Sequence, residues 1–241
     1  EARGKYGTEF DEKKVIRAYD FLPVALYVGS GRNFIECHHG GMEPGFDPRP
    51  LLEAPGPMRF RLLGPLLQRQ FFNSHPDWYA RADPGSRSLV ERVYSDFVPV
   101  APTVPLVLGF MWNDFSILTS ERQFALDPGR AFVYGQRATQ YLLRQASTPE
   151  KQVQAVFRGH QQSSALNPMM RRLIASRGVF RHWQVADSQA LLNADIAELG
   201  AILEHGPVRP IPSGSVWTFN VSPDSVYGEG CNYTFDTFGI L

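Results

Sequence analysis

Cysteine is scarce in this sequence of 241 residues, and neither sign of charge is in excess. Cys37 and Cys231 are too few to build a disulfide framework, which favours a reducing, intracellular compartment. The 24 Lys and Arg residues balance the 24 Asp and Glu residues. No global field therefore draws the chain to nucleic acid or to an anionic membrane, and we expect neither partner.

Long apolar runs are also missing. An uncharged, largely apolar stretch, residues 98–112, is interrupted by three prolines, whereas a membrane-spanning helix needs about 20 apolar residues. No basic-then-apolar leader follows Glu1, so no signal peptide is expected. With 43% hydrophobic and 20% charged residues, the composition is that of a globular protein and excludes general disorder.

Compact catalytic motifs are absent too. The sequence contains no GxxxxGK[ST], GxSxG, HExxH or CxxC pattern. These absences argue against a P-loop, a hydrolase nucleophile elbow and a compact zinc site.

Hydrophobic periodicity predicts a mixed α and β chain without a regular βαβ series. From residue 42 to residue 105 frequent prolines interrupt any regular pattern. The predicted strands are 24–28, 33–38, 153–157, 216–221 and 233–241, with 106–112 strand-like or buried. The predicted helices are 9–21, 89–97, 136–145, 169–176 and 188–203, the last with Ser188 as its N-cap.

Two of the six histidines share one sequence context. His39 ends an apolar run and precedes Gly40 and Gly41, and His160 ends another and follows Gly159. A strand fixes an imidazole and glycine allows close approach, so both positions suit a metal ligand. His38 precedes His39 on the same predicted strand, so their side chains should point to opposite faces. Asp47 and Asp114 are candidate carboxylate ligands, although no motif marks them.

Five segments resemble motifs of the phosphoprotein phosphatase family of metallophosphoesterases, in the family's order. FIECHHGGMEP, preceded by LPVA, is similar to the family's CxHGGLxP stretch, and MWND is similar to LLWSDP. AFVYG, FRGHQ and FNVSPDSVY are similar to GxxFTFG, IxRAHQ and FSAPNY. The resemblance covers nearly the whole chain.

This resemblance implies an α+β fold, a β-sandwich flanked by helices, of which the chain supplies the C-terminal portion. Residues 1–241 would then be one partial domain, with a loop-rich insertion at 45–105. The family's earlier motifs, GDxHG, GDxVDRG and GNHE, do not occur here. We therefore expect a fragment that exposes a wide apolar face and is unstable without its complement.

The resemblance also assigns a site. His39 and His160 match the two histidines that bind the same one of two divalent metals, for which Mn, Fe or Zn is expected. Arg130 and Tyr227 match the catalytic, phosphate-binding side chains, although strict alignment places Pro128 at the arginine position. Trp112 matches a tryptophan near the metals, with core packing as the alternative.

The implied activity is hydrolysis of phosphoserine and phosphothreonine by a metal-activated water, with a phosphoprotein as substrate and a regulatory subunit as a further partner. Two protein ligands make a poor metal site, so we expect this chain alone to bind metal weakly and to lack useful activity. Two alternatives remain open. One is a catalytically dead interaction module, and the other is a metallophosphoesterase acting on a small molecule such as a dinucleoside polyphosphate.

Overall fold

The structure is a computed structural model. It describes residues 22–43, 46–53, 109–119, 124–127, 131–161, 165–185 and 189–220, together with Gly4, Gly7, Asp11 and Pro84. In chain order the elements are β1 (Ala25–Ser30), β2 (Asn33–His38), α1 (Arg49–Glu53), α2 (Gly109–Trp112), β3 (Asp114–Phe115), β4 (Phe124–Asp127), β5 (Ala131–Tyr134), α3 (Gln136–Gln145), β6 (Gln152–Arg158), α4 (Pro168–Ala175), β7 (Val179–Arg181), a 3₁₀ helix (Gln189–Asn193), α5 (Ile196–Ile202) and β8 (Ser215–Phe219).

Three parallel strands form the centre of the larger sheet, whose order is β1-β2-β6-β8-β7. β2 pairs parallel with β6, and β6 pairs parallel with β8. β1 and β7 add antiparallel edges, β1 through a tight turn in which Gly31 takes a φ of 60°. Parallel central strands matter for function because their carboxyl ends meet at one edge of the sheet.

A smaller sheet in the order β3-β5-β4 shares a core with the larger one. β5 leads directly into α3, an amphipathic helix that turns Leu143 inward. The shared core cluster draws its buried side chains from both sheets, α3 and flanking segments: Met42, Leu52, Phe115, Phe132, Tyr134, Leu143, Ala146, Val153, Val156, Trp183 and Val216. A second cluster packs α4 against α5 and contains Met170, Leu173 and Leu199.

The mixed α and β class predicted from the sequence is confirmed, as are its main elements. Strands predicted at 24–28, 33–38, 153–157 and 216–221 correspond to β1, β2, β6 and β8, and helices predicted at 136–145 and 169–176 to α3 and α4. Predicted elements at 89–97 and 233–241 lie outside the described residues, as does all of 9–21 except Asp11. Of the predicted insertion at 45–105, only 46–53 and Pro84 are described.

The strand-like or buried assignment at 106–112 is partly wrong. Residues 109–112 form the short helix α2, with Phe110 fully buried. β3, β4, β5 and β7 were not predicted as strands, because runs of two to four residues are too short to show a period. Within the described part of the chain, no helix is long and apolar enough to cross a bilayer.

The single helix predicted at 188–203 is also wrong. A 3₁₀ helix ends at Asn193, and α5 begins at Ile196 with Asp195 as its N-cap. The Asp195 carboxylate accepts from the Glu198 backbone N–H at 2.8 Å, and the Glu198 carboxylate accepts from the Asp195 N–H at 2.9 Å. This reciprocal capping box has an Asp-x-x-Glu signature that could have been recognised in the sequence.

Replacing Asp195 with alanine should lower the free energy of unfolding by about 1 kcal/mol, because the N-cap acceptor is lost while the helix remains. Asp195→Asn is the matched control, since an asparagine oxygen caps a helix about as well. Urea unfolding followed by circular dichroism measures both variants. Equal destabilisation by the two substitutions would contradict the capping role.

Candidate functional site

Parallel pairing brings three loops to the same edge of the larger sheet. His38 of β2 is paired with Arg158 of β6, and Arg158 is paired with Thr218 of β8. Each strand ends within one residue of this level. The segments that follow, beginning at His39, Gly159 and Asn220, therefore leave the sheet side by side.

His39 and His160 meet at this edge, although 121 positions separate them in the sequence. Their ring centroids lie 5.2 Å apart, and the rings are nearly perpendicular. Consider two imidazoles that bind one ion with metal–nitrogen bonds of about 2.1 Å and a nitrogen–metal–nitrogen angle of about 90–110°. Their ring centroids then lie about 4.6–5.3 Å apart. The observed separation fits two ligands of one cation.

Trp112 lies beside His160 at the protein surface. Its ring is 6.2 Å from the His160 ring in an edge-on arrangement, and 53% of the residue is exposed. Core packing, the alternative interpretation from the sequence, is not consistent with a residue that is 53% exposed. A partly exposed indole ring therefore borders His160.

The loop after β2 is held by the backbone of the α2 region. Gly40 N–H donates to the Phe110 carbonyl at 2.6 Å, and Gly41 N–H donates to the Gly109 carbonyl at 3.2 Å. A Cβ on Gly40 would lie 2.6 Å from the Met111 carbonyl carbon, so no other residue fits there. The glycines beside His39 thus allow the chain's own backbone to approach closely.

The loop after β6 places His160 in a left-handed backbone conformation, with a φ of 73°. Such a conformation is costly for a residue with a Cβ and must be held by its surroundings. Gln161 supplies part of that support, since its Nε2 donates to Asp114 Oδ2 at 2.9 Å. Asn220, after β8, donates from Nδ2 to the Gln161 carbonyl at 3.2 Å.

A buried ion pair lies directly beneath the two histidines. Arg158 Nη1 is 2.5 Å from Asp114 Oδ1, with Arg158 3% and Asp114 1% exposed. Arg158 Nε donates to Thr218 Oγ1 at 2.9 Å, and the guanidinium lies over the Phe115 ring. This pair links β6, β8 and the start of β3, and through Gln161 it contacts the loop that carries His160.

His182 extends the network on the other side of Thr218. Its Nδ1 is 2.8 Å from the Ser116 carbonyl, which only accepts, so Nδ1 carries a proton. Its Nε2 is 2.8 Å from Thr218 Oγ1. Thr218 therefore accepts from Arg158 and donates to His182, which orders the hydroxyl and keeps this histidine in a structural role.

The electrostatics of the adjacent histidines differ. Partial burial, followed by the positive charge of Arg158, lowers the pKa of His39 below its usual range, which favours the neutral imidazole. Full burial, followed by Arg158, lowers the pKa of His38 to about 3. The His38 ring packs between Phe110 and Phe115, at 5.5 and 6.5 Å between centroids. His38 is thus a neutral core residue.

The buried carboxyl of Glu43 links the loop after β2 to the start of α2. Its buried Oε2 accepts from the Gly109 N–H at 2.6 Å, at the start of α2. Burial raises the pKa of this carboxyl from 4.5 to about 8, against the opposing effect of the hydrogen bonds from Gly109 and Phe110. The folded chain therefore keeps a proton on Glu43 that the unfolded chain loses above about pH 4.5.

Stability should consequently fall with rising pH between about pH 5 and about pH 8, and Glu43→Gln should remove part of that fall. Each such group contributes at most about 1.4 kcal/mol per pH unit. We expect the wild type to lose about 2 kcal/mol more than Glu43→Gln over this range, as measured by urea unfolding. Parallel pH profiles would contradict a protonated Glu43 in the folded state.

The structure brings together only some of the predicted site residues. It brings His39, His160 and Trp112 together, whereas Arg130 and Tyr227 lie outside the described residues and their roles stay predictions. Asp114 is already ion-paired with Arg158, and Asp47 pairs with Arg49 at the surface. Among the described residues, no group of three or more His, Cys, Asp or Glu side chains is arranged to hold a metal ion.

Arg158 is the residue that sequence reasoning missed. It appeared only as part of the FRGHQ segment, and nothing local assigned it to the core. One signal was available, because Arg158 follows the buried Val156 by two residues in β6 and therefore shares its face of the sheet. Its partner could not be found in this way, since Asp114 is 44 residues away.

In comparisons with known proteins, no family model, curated protein or solved structure matches the chain. The phosphoprotein phosphatase resemblance therefore stays a prediction from the sequence motifs.

Proposed function

We propose that this chain supplies the C-terminal part of a metal-dependent phosphomonoesterase site of the phosphoprotein phosphatase type, with phosphoserine or phosphothreonine as substrate. The observation that carries the proposal is the 5.2 Å separation of the His39 and His160 rings. The two residues occupy the positions that the motif resemblance gives to ligands of one ion. Their separation is compatible with two imidazoles on a common cation.

The chain's own residues would have distinct tasks at such a site. His39 and His160 would hold one of two divalent ions, of which Mn, Fe and Zn suit imidazole. When bound, such ions lower the pKa of a water and neutralise charge on the phosphoryl group. Arg158 and Asp114 would position the His160 loop through Gln161, and Trp112 borders His160 at the surface.

The remaining ligands would come from sequence upstream of Glu1 that carries GDxHG, GDxVDRG and GNHE motifs. In this proposal the larger sheet and the smaller sheet belong to the β-sandwich of a metallophosphoesterase. Arg130 and Tyr227 would then contact the phosphate. A chain with only the two histidines would bind Mn²⁺ weakly and would not turn over substrate.

The test joins the upstream coding sequence to this chain. If it carries the three motifs, the longer polypeptide should hydrolyse a phosphoserine peptide in the presence of Mn²⁺, and a chelator should abolish the activity. The present chain alone should show no saturable Mn²⁺ binding at micromolar concentration by isothermal titration. Upstream sequence without the metal-binding aspartates would favour the interaction module, and tight binding with turnover by this chain alone would overturn the division of ligands.

A further inference from the structure

The outer side of the edge strand β1 is open. In the larger sheet β1 pairs with β2, and among the described residues no strand lies on its other side. Tyr27 packs against the shared core, so its neighbours Leu26 and Val28 lie on the opposite face of the sheet, where they are 51% and 42% exposed. The last two residues of the strand are exposed as well. Residues 26–30 therefore present both backbone and apolar side chains at the surface.

The turn between β1 and β2 fixes which backbone groups of β1 point outward. It has two residues, of which Gly31 takes a φ of 60°, and it is flanked by the paired Ser30 and Asn33. The pair that flanks such a turn exchanges two backbone hydrogen bonds, and hydrogen-bonded pairs then alternate along the ladder. The N–H and C=O groups of Tyr27 and Gly29 consequently point away from β2. Within the described part of the chain, these groups have no hydrogen-bond partner.

The opposite edge of the same sheet is protected. β7 has only three residues, and its Val179 carbonyl accepts from Arg209 Nη1 at 2.7 Å. Arg181, in the same strand, is paired with Glu204. Short length, charged side chains and proline are the usual devices that keep an edge strand from pairing with another chain. β1 has none of them, since it is six residues long and residues 24–31 contain neither a charged residue nor a proline.

A second, antiparallel copy of β1 is complementary to this edge in hydrogen bonding and in charge. With a two-fold axis at Val28, Tyr27 of each copy lies opposite Gly29 of the other, and each of these pairs exchanges two backbone hydrogen bonds. The two Val28 side chains then face each other at a non-hydrogen-bonded position, where side chains approach most closely. Antiparallel pairing also places Arg32 of the two copies at opposite ends of the junction, so no like charges meet.

We propose that β1 is a dimerisation strand, and that two copies of this chain pair antiparallel through residues 26–30 so that the larger sheet continues across a two-fold axis. Assembly stops at the dimer, because the protected β7 edge does not offer a second site for pairing. The interface is independent of the phosphomonoesterase proposal, since it uses none of the residues assigned to that chemistry.

Sedimentation velocity tests the interface. A junction of two short strands is small, so we expect the mass to rise from 27.1 kDa to twice that value as the concentration reaches about 100 μM. Val28→Lys and Val28→Glu should each stay monomeric there, because the two-fold axis places like charges opposite each other. An equimolar mixture of these two variants should dimerise again. Ile202→Lys is the matched control, since Ile202 on α5 is also 42% exposed, and it should dimerise like the wild type.

Amide hydrogen exchange of the wild type locates the interface, and it decides the matter if a Val28 variant is unfolded by circular dichroism. Dimerisation should slow exchange at the outward N–H groups of Tyr27 and Gly29 and leave that of Val28, already bonded to β2, unchanged. The proposal is overturned by a wild type that stays monomeric, by assemblies that grow beyond the dimer, or by a dimer in which the Tyr27 and Gly29 amides stay unprotected. Folded Val28 variants that dimerise separately, or that fail to dimerise when mixed, would overturn it as well.

Discussion

Asp114→Asn is expected to lower the free energy of unfolding by about 3–5 kcal/mol, the typical cost of removing one partner from a buried ion pair. Arg158, itself 3% exposed, would keep its charge in the interior without the carboxylate that lies 2.5 Å away. Gln161 and the Phe115 N–H would lose the ionised acceptor to which both now donate. Urea unfolding at constant pH measures the effect.

Asp47→Asn is the matched control for this prediction. Asp47 also forms an ion pair with an arginine, Arg49, at 2.7 Å, but both side chains are about half exposed. Solvent screens such pairs, so the control should change stability within experimental error. If Asp114→Asn were as mild as Asp47→Asn, the ion pair beneath the histidines would not be a main support of the fold.

Removing either histidine of the pair should have the largest effect on activity. In a longer polypeptide that carries the proposed upstream motifs, His39→Ala and His160→Ala should each lower Mn²⁺-dependent hydrolysis of a phosphoserine peptide by about 100-fold or more. The reason is that substitutions merely adjacent to metal ligands already cost about 10–100-fold in metal affinity or activity. Adding excess Mn²⁺ should rescue the activity only in part.

His205→Gln provides the control for this experiment, because His205 is exposed and its ring forms a hydrogen bond with the Leu203 carbonyl, away from the His39 and His160 loops in the chain. It should retain wild-type activity. A further comparison separates chemistry from backbone strain, since His160→Gly relieves the positive φ that His160→Ala retains. Both should be inactive, but His160→Gly should be the more stable. Activity retained by His39→Ala and His160→Ala would remove the basis of the phosphatase proposal.

The sequence by itself determined the strands and helices whose patterns are long enough to show a period. Alternating or continuous apolar residues marked β2 and β6, and the amphipathic pattern at 136–145 marked α3, because burial of one face is a local property of sequence. The same patterns placed His39 and His160 at strand ends beside glycine. The capping box at Asp195 was equally local, and the prediction of one continuous helix overlooked it.

Only the tertiary structure decided which of these residues meet. Parallel pairing of β2 with β6 places the two histidines side by side, and sequence periodicity is silent on which strands pair. The partnership of Arg158 with Asp114 and the burial of Glu36 and Glu43 were hidden for the same reason. Such contacts join residues that are distant in the chain, and their energies arise from desolvation and packing that exist only once the fold has formed.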